Sequence, residues 1–269
     1  MAQPGRSPEP LKTIATRGNA LSSQFATPAL PSTASLAASC HGEAAPLTES
    51  CLSVIMTRVL PACFFLACLI SPAQKLVSLV SQPEFPGEGL PGMTFYVSVG
   101  HQVAALLFLA LIVTLYMVRP LPVAKARGTR PMVAALMPLF LVSLLLLAPK
   151  AEGAVIQTII ATVMLFCGTG FAFTALAALG RSFSILPQAR RLVTTGPYSL
   201  IRHPIYLGEM VAAAGFALQS LSPWTVLIFA AFIRAMTRRM NYEEAVLTQA
   251  FPEYADYKAR TFRLIPNVY

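Results

Sequence analysis

Long apolar runs, rather than polar/apolar alternation, organise this chain. From residue 59 onward they predict six helical segments, near 59–72, 95–118, 131–149, 154–179, 205–219 and 223–237. Several reach the ~20 residues that cross a bilayer core. The ~10-residue alternation of an outer-membrane barrel is missing. The pattern therefore predicts an all-α fold, a polytopic transmembrane helical bundle of about five to six helices. The first segment is the weakest. It is short, and Ser71-Pro72-Ala73 resembles a signal-peptidase site, although a retained helix is the expectation. The last two segments join around Ser220-Leu221-Ser222-Pro223, an uncharged turn with a proline placed to start a helix. They predict a short antiparallel hairpin, tilted or partly buried because its arms are short for full spans. A closed hairpin brings residues 202–206 at its head close to residues 234–244 beyond its second arm.

Composition agrees with the pattern. The chain is 55% hydrophobic and 12% charged, against ~25% charged in soluble domains. The first 50 residues differ, being rich in Ser, Ala, Pro and Thr without an apolar period. They read as disordered. Arg6, Lys12 and Arg17 hint at a transit peptide, but Glu9, Glu43 and Glu49 argue against one. Met56, ahead of an apolar run, is a candidate start. Three regions follow: a 1–55 N-terminal extension, N-terminal transmembrane helices over 56–179, and a site-bearing region over 180–269.

Charge sets the expected orientation. Arg119, Lys125, Arg127 and Arg130 lie in one loop, and Arg181, Arg190, Arg191 and Arg202 in another. The tail adds Arg234, Arg238, Arg239, Lys258, Arg260 and Arg263. The opposite loops hold Lys75 and Lys150 beside Glu84, Glu88 and Glu152. The positive-inside rule puts the basic loops and both termini in the cytoplasm. A bacterial inner membrane fits this pattern and the size. The net charge of +9 points to anionic lipid head groups and not to nucleic acid, because no basic domain stands apart from the bilayer. Cys40, Cys51, Cys63, Cys68 and Cys167 form no CxxC pair and have no histidine at ligand spacing, so neither a disulfide frame nor a metal site is expected. Dinucleotide, P-loop and nucleophile-elbow motifs are also missing.

The chemistry collects at the two ends of the hairpin. Gly196-Pro197 signals a turn. Pro204 holds His203 off helical geometry and opens a helix. That helix start, with the guanidinium of Arg202, suits an anion. Tyr198 and Tyr206 offer aromatic faces for a cation such as a sulfonium. Arg, Tyr and His also serve as interfacial anchors, and composition alone leaves the two readings level. At the far end Arg239 and Glu243 are four apart on one helix face, the spacing of an ordinary ion pair. The adjacent Glu244 points elsewhere, and carboxylates can hold an amino group or ribose hydroxyls. Residues 251–260 read as a cytoplasmic C-terminal cap over the hairpin mouth. Glu209 lines a pocket or pairs with an arginine. His101 is expected to be interfacial or buried, Trp224 to anchor at the interface, and Gly168 and Gly170 to allow close helix packing.

These pieces occur in an informative order. Leu192-Val193-Thr194-Thr195-Gly196-Pro197-Tyr198 precedes Arg202-His203-Pro204-x-Tyr206-x-Gly208. Then come Arg239-x-x-x-Glu243-Glu244, Tyr254-x-x-Tyr257 and Ile265-Pro266. Over roughly residues 180–269 this resembles the isoprenylcysteine carboxyl methyltransferase and phospholipid methyltransferase family of integral membrane enzymes. The resemblance implies methyl transfer from S-adenosylmethionine at the cytoplasmic face to a hydrophobic or lipid-linked acceptor. It assigns cofactor binding to Leu192, Val193, Gly196, Tyr198, Arg202, His203, Tyr206 and Glu244. It places Arg239 and Glu243 near the reacting groups. Methyl transfer from a sulfonium demands alignment and water exclusion more than a strong acid or base. A carboxylate acceptor needs no base, whereas an amine or thiol needs one, and Glu243 is the candidate. Two other readings compete: an NADPH-dependent membrane reductase of the steroid or sterol type, whose C-terminal region is similar, and a non-catalytic scaffold or transporter subunit.

Overall fold

The computed structural model describes residues 55–81, 90–149 and 154–266, all within one compact unit, Glu49–Tyr269. Apart from Ile55, the 1–55 extension and the expectations placed on it lie outside the described residues. A π-turn, Ile55–Val59, leads into α1 (Leu60–Cys68) and α2 (Ile70–Val80). Next come α3 (Leu90–Val118), α4 (Thr129–Leu147) and α5 (Val155–Leu179). The predicted hairpin is α6 (Pro204–Gln219) and α7 (Pro223–Ala250), and the cap is α8 (Tyr254–Arg260). Among the described residues, four stretches are long and apolar enough to cross a membrane: Leu60–Val80, Gly92–Val118, Thr129–Leu147 and Val155–Ser182. The protein is an all-α membrane bundle.

The first span is longer than the apolar run suggests. Two helices meet at Leu69 and carry it to Val80, so Ser71 to Ala73 lie inside α2. Lys75 cuts the apolar pattern without ending the helix, because its long stem can carry the ammonium away from apolar surroundings. His101 lies inside α3, which begins at Leu90, and is buried.

Helices α5 and α6 pack backbone against backbone. A methyl group on Gly208 would sit 2.6 Å from the Gly168 carbonyl oxygen and 2.7 Å from the Ala172 nitrogen. One on Gly168 would sit 2.5 Å from the Ala212 nitrogen. Gly208, which closes the Arg-His-Pro-x-Tyr-x-Gly run, is thus a packing residue. Gly170 is not, contrary to expectation. No atom lies within 4 Å of where its Cβ would be, because two residues along a helix turn it off the Gly168 face.

The turn at the far end of the hairpin follows its chemistry. Pro223 is the first residue of α7, and Ser222 caps it reciprocally with Thr225. Trp224 beside it is 72% exposed. The two arms pack little against each other: α6 lies on α5, whereas α7 lies on α4. The splayed hairpin leaves a cavity of about 580 Å³ inside the bundle.

Beyond the helices, Ala124–Lys125 (β1) pairs antiparallel with Gln188–Ala189 (β2), tying two basic loops together. The tail pairs with the loop ahead of α6. Arg202 N donates to Phe262 O at 2.9 Å, Phe262 N to Leu200 O at 3.0 Å and His203 N to Arg263 O at 3.2 Å. Cap helix α8 is fastened by Tyr257, whose hydroxyl donates to Tyr198 O at 2.7 Å.

Candidate active site

Pro204 is the first residue of α6, and His203 stands before it at φ −124°, ψ 56°, outside helical space. The motif thereby turns Arg202 and His203 toward the second arm of the hairpin, where Glu244 waits. His203 Nε2 lies 3.0 Å from Glu244 Oε1, Arg263 Nε 3.1 Å and Arg202 Nε 3.4 Å. Lys258 Nζ is 3.7 Å from Oε2. The anion that this helix start was built to attract is therefore supplied by the chain itself. Burial pushes the Glu244 carboxyl up. The hydrogen bond and charge of His203, with Arg263 and Arg202, overcome that and hold it down to about 2, against an ordinary 4.5. Arg202 also donates to the Lys258 and Thr261 carbonyls. The cluster staples loop, α7 and tail together.

Glu243, one residue earlier, faces a different neighbour. Its Oε2 accepts a 2.5 Å hydrogen bond from the Tyr206 hydroxyl. Tyr206 stacks on His203 with ring centroids 5.3 Å apart. The guanidinium of Arg239 lies over the Tyr206 ring, 4.8 Å from its centroid. The simple Arg239–Glu243 ion pair suggested by their spacing is not made; both residues converge on Tyr206 instead. Arg239 is 3% exposed, and its Nε has no hydrogen-bond partner among the described residues.

Two cavities flank this group. A narrow cleft of about 60 Å³ lies beside the loop and cap, lined by Leu192, Val193, Tyr198, Arg202, His203, Tyr206 and Glu243. These are seven of the ten residues singled out from the sequence. Gly196 shapes the approach from behind, at φ +61°, a backbone conformation glycine adopts freely. The larger cavity is lined by Arg239, Glu209 and His101 together with apolar side chains of α1, α3 and α4. Phe183 borders both spaces.

Arg190 and Tyr254 also line the cleft and were not singled out from the sequence as site residues. Arg190 Nη1 and the Tyr254 hydroxyl are buried there without hydrogen-bond partners among the described residues. Arg190 is held by its other nitrogens to the Pro120 carbonyl and the Gln188 side chain, both at 2.8 Å. Burial, then the neighbouring Arg119, brings it down to about 10, so it remains a cation at neutral pH. The only trace of this role in the sequence is an arginine pair among many basic residues. Among the described residues, no group of three or more His, Cys, Asp or Glu comes together as metal ligands.

A helical membrane bundle whose ionisable groups gather between two cavities at one end describes a class of integral membrane proteins built around a polar site. Comparison with known proteins is more specific. Residues 156–254 match the phospholipid methyltransferase family model. Protein-S-isoprenylcysteine O-methyltransferase B of Arabidopsis thaliana is 34% identical over 39% of this chain and 57% of its own length. Cobalt-zinc-cadmium resistance protein CzcN of Cupriavidus metallidurans is 34% identical over 37% of this chain and 48% of its own. The chain thus spans about half the length of these curated relatives. A solved eukaryotic intramembrane Ras methyltransferase, isoprenylcysteine carboxyl methyltransferase, aligns with a TM-score of 0.42 at 20% identity, covering 66% of this chain and 68% of that one. Through its C-terminal region the chain is similar to the phospholipid methyltransferase family and to protein-S-isoprenylcysteine O-methyltransferases.

Proposed function

We propose that the protein is an integral membrane methyltransferase that moves a methyl group from S-adenosylmethionine to a hydrophobic or lipid-linked acceptor. The observation that carries this reading is the meeting of two unlike cavities at Tyr206, Arg239 and Glu243. The cleft has the chemistry a zwitterionic nucleoside sulfonium requires. Arg190 Nη1 and the Tyr254 hydroxyl, without partners among the described residues, are donors for its polar groups. Glu243 is a carboxylate for an amino group, and Leu192, Val193 and Phe183 are apolar walls. Tyr198 and Tyr206 present aromatic faces to a cation. When bound, the cofactor supplies an activated methyl group. Residues Leu192, Val193, Gly196, Tyr198, Arg202, His203 and Tyr206 form or shape its site, with Glu244 holding Arg202 and His203 in place. The cleft must widen to receive it, since sites for small molecules usually hold ~300–1,000 Å³. Outward movement of α8 is the simplest route.

The larger cavity, open among the membrane spans and mostly apolar, suits the acceptor. Arg239 orients the acceptor's head group, and Glu243 fixes Tyr206 and, through it, the ring beneath Arg239. The basic loops at this end support a site at the cytoplasmic face, in a bacterial inner membrane. There the soluble cofactor is available. Incubating membranes that contain the protein with methyl-labelled cofactor, then identifying the labelled product, tests the proposal. A labelled amphiphile that disappears with Arg239→Gln supports it. Oxidation of NADPH without labelling would replace it with a reductase.

A further inference from the structure

Within the large cavity one carboxylate has no evident structural task. Glu209 stands on α6, three residues after Tyr206 and so on the same face. It is half-buried, lines the cavity with Arg239, and makes no hydrogen bond or ion pair within 4 Å among the described residues. The charges of Arg239 and Glu243 on α7 act on it. Cys68 on α1, Lys75 on α2 and His101 on α3 are the other titratable groups along the cavity wall. An ionisable side chain inside a membrane bundle is costly and is kept for a purpose. If Glu209 merely neutralised Arg239, a direct ion pair would be expected. Instead Glu209 and the unpartnered Arg239 Nε face the same space.

Resting on the methyl-transfer reading, we propose that Glu209 is a further catalytic residue, the base that receives the proton an acceptor loses on methylation. The acceptor then carries hydrogen on its attacking atom, as an amine or thiol does, and is not a carboxylate. Its lone pair forms the new bond to the methyl carbon. The carbon–sulfur pair stays with sulfur, which leaves as a neutral thioether. The acceptor's proton passes to a Glu209 carboxylate oxygen. Among the described residues, Glu209 is the only acidic side chain on the cavity wall, alongside the cations Arg239 and Lys75. A head group that can donate a hydrogen bond would be held at the Glu209 carboxylate, a contact an anionic head group cannot make.

The test compares the wild type with Glu209→Gln and Glu209→Asp in lipid nanodiscs. Amphiphiles of one chain length bearing an amine, a thiol or a carboxylate serve as probes. Transfer to the amine or thiol is expected, falling about 100-fold in E209Q, the usual scale of general-base catalysis, and partly restored in E209D. The acid-side fall in the wild-type pH profile disappears in E209Q. Cofactor-free titration gives a separate readout: the amine should bind about tenfold tighter than the carboxylate, the scale of one charge-assisted hydrogen bond, and E209Q should erase the preference. Transfer to the carboxylate, wild-type rates in E209Q, or equal binding of amine and carboxylate would overturn the inference while leaving methyl transfer standing. No cofactor binding and no transfer by the wild type would overturn the methyltransferase reading itself.

Discussion

Glu243 and Glu244 are neighbours in sequence and opposites in structure. Glu244 is surrounded by Arg202, His203, Lys258 and Arg263, so its charge is spent within the fold. Among the described residues Glu243 has one hydrogen-bond partner, Tyr206, and it also lines the cleft. Across Tyr206, Arg239 and Glu209 face the larger cavity, and Arg239 Nε has no hydrogen-bond partner among the described residues. The Glu244 cluster is saturated and buried, as a structural staple should be. The other groups are buried or half-buried yet unsatisfied, an arrangement that costs stability and is useful only where a ligand completes it. Satisfaction of bonding capacity, more than residue type or motif membership, separates what builds this site from what works in it.

Breaking the staple should have the largest effect on folding. Glu244→Gln removes the charge that Arg202, His203, Lys258 and Arg263 share, and breaking a buried pair costs ~3–5 kcal/mol. Thermal unfolding in detergent should show a marked loss of stability, with activity lost because the tail comes away from the loop. The same comparison has a pH signature. The Glu244 carboxyl sits below its ordinary value when folded, so its contribution is complete above about 4.5 and is lost as pH falls toward about 2. A stability profile across that range should lose its steepest part in E244Q.

The working side should respond in the opposite sense. Arg239→Lys keeps the charge but loses the planar fork over Tyr206. Turnover should fall by about 10²–10³, as for loss of one preorganised electrostatic donor. Binding of S-adenosylhomocysteine should be unchanged. A variant that lost cofactor binding and stability together would show Arg239 to belong with Glu244.

Smaller effects test the frame that holds both regions. Gly208→Ala forces α5 and α6 apart and should cost ~1–3 kcal/mol, measured by thermal unfolding, whereas Gly170→Ala should be nearly silent. Tyr257→Phe removes one hydrogen bond from the cap, worth ~1 kcal/mol. It should raise hydrogen exchange in α8 more than it lowers the melting temperature.

Most of the bundle was legible because membrane helices announce themselves locally. The apolar runs gave the spans, Pro204 and Pro223 gave the two helix starts, and Ser220 to Pro223 gave the turn. Where local signals misled, packing explains why. Lys75 disguised the length of the first span, and Gly170 shared the small size of Gly168 without sharing its face. The splay of the hairpin was not readable, because it depends on α6 preferring α5 while α7 prefers α4. The site was legible as a set of residues but not as a division of labour. Glu244 is defined by Arg263 and Lys258 from the tail, and Arg190 by Pro120 from a distant loop. Such long-range pairings leave no period in the sequence.

The central claim is that the cleft beside residues 192–206 is built for a nucleoside sulfonium. It is tested most directly by calorimetric titration of the purified protein with S-adenosylhomocysteine and, separately, with NADPH. The account predicts saturable binding of S-adenosylhomocysteine, weakened by Arg190→Gln, and no binding of NADPH. Binding of NADPH alone would contradict it.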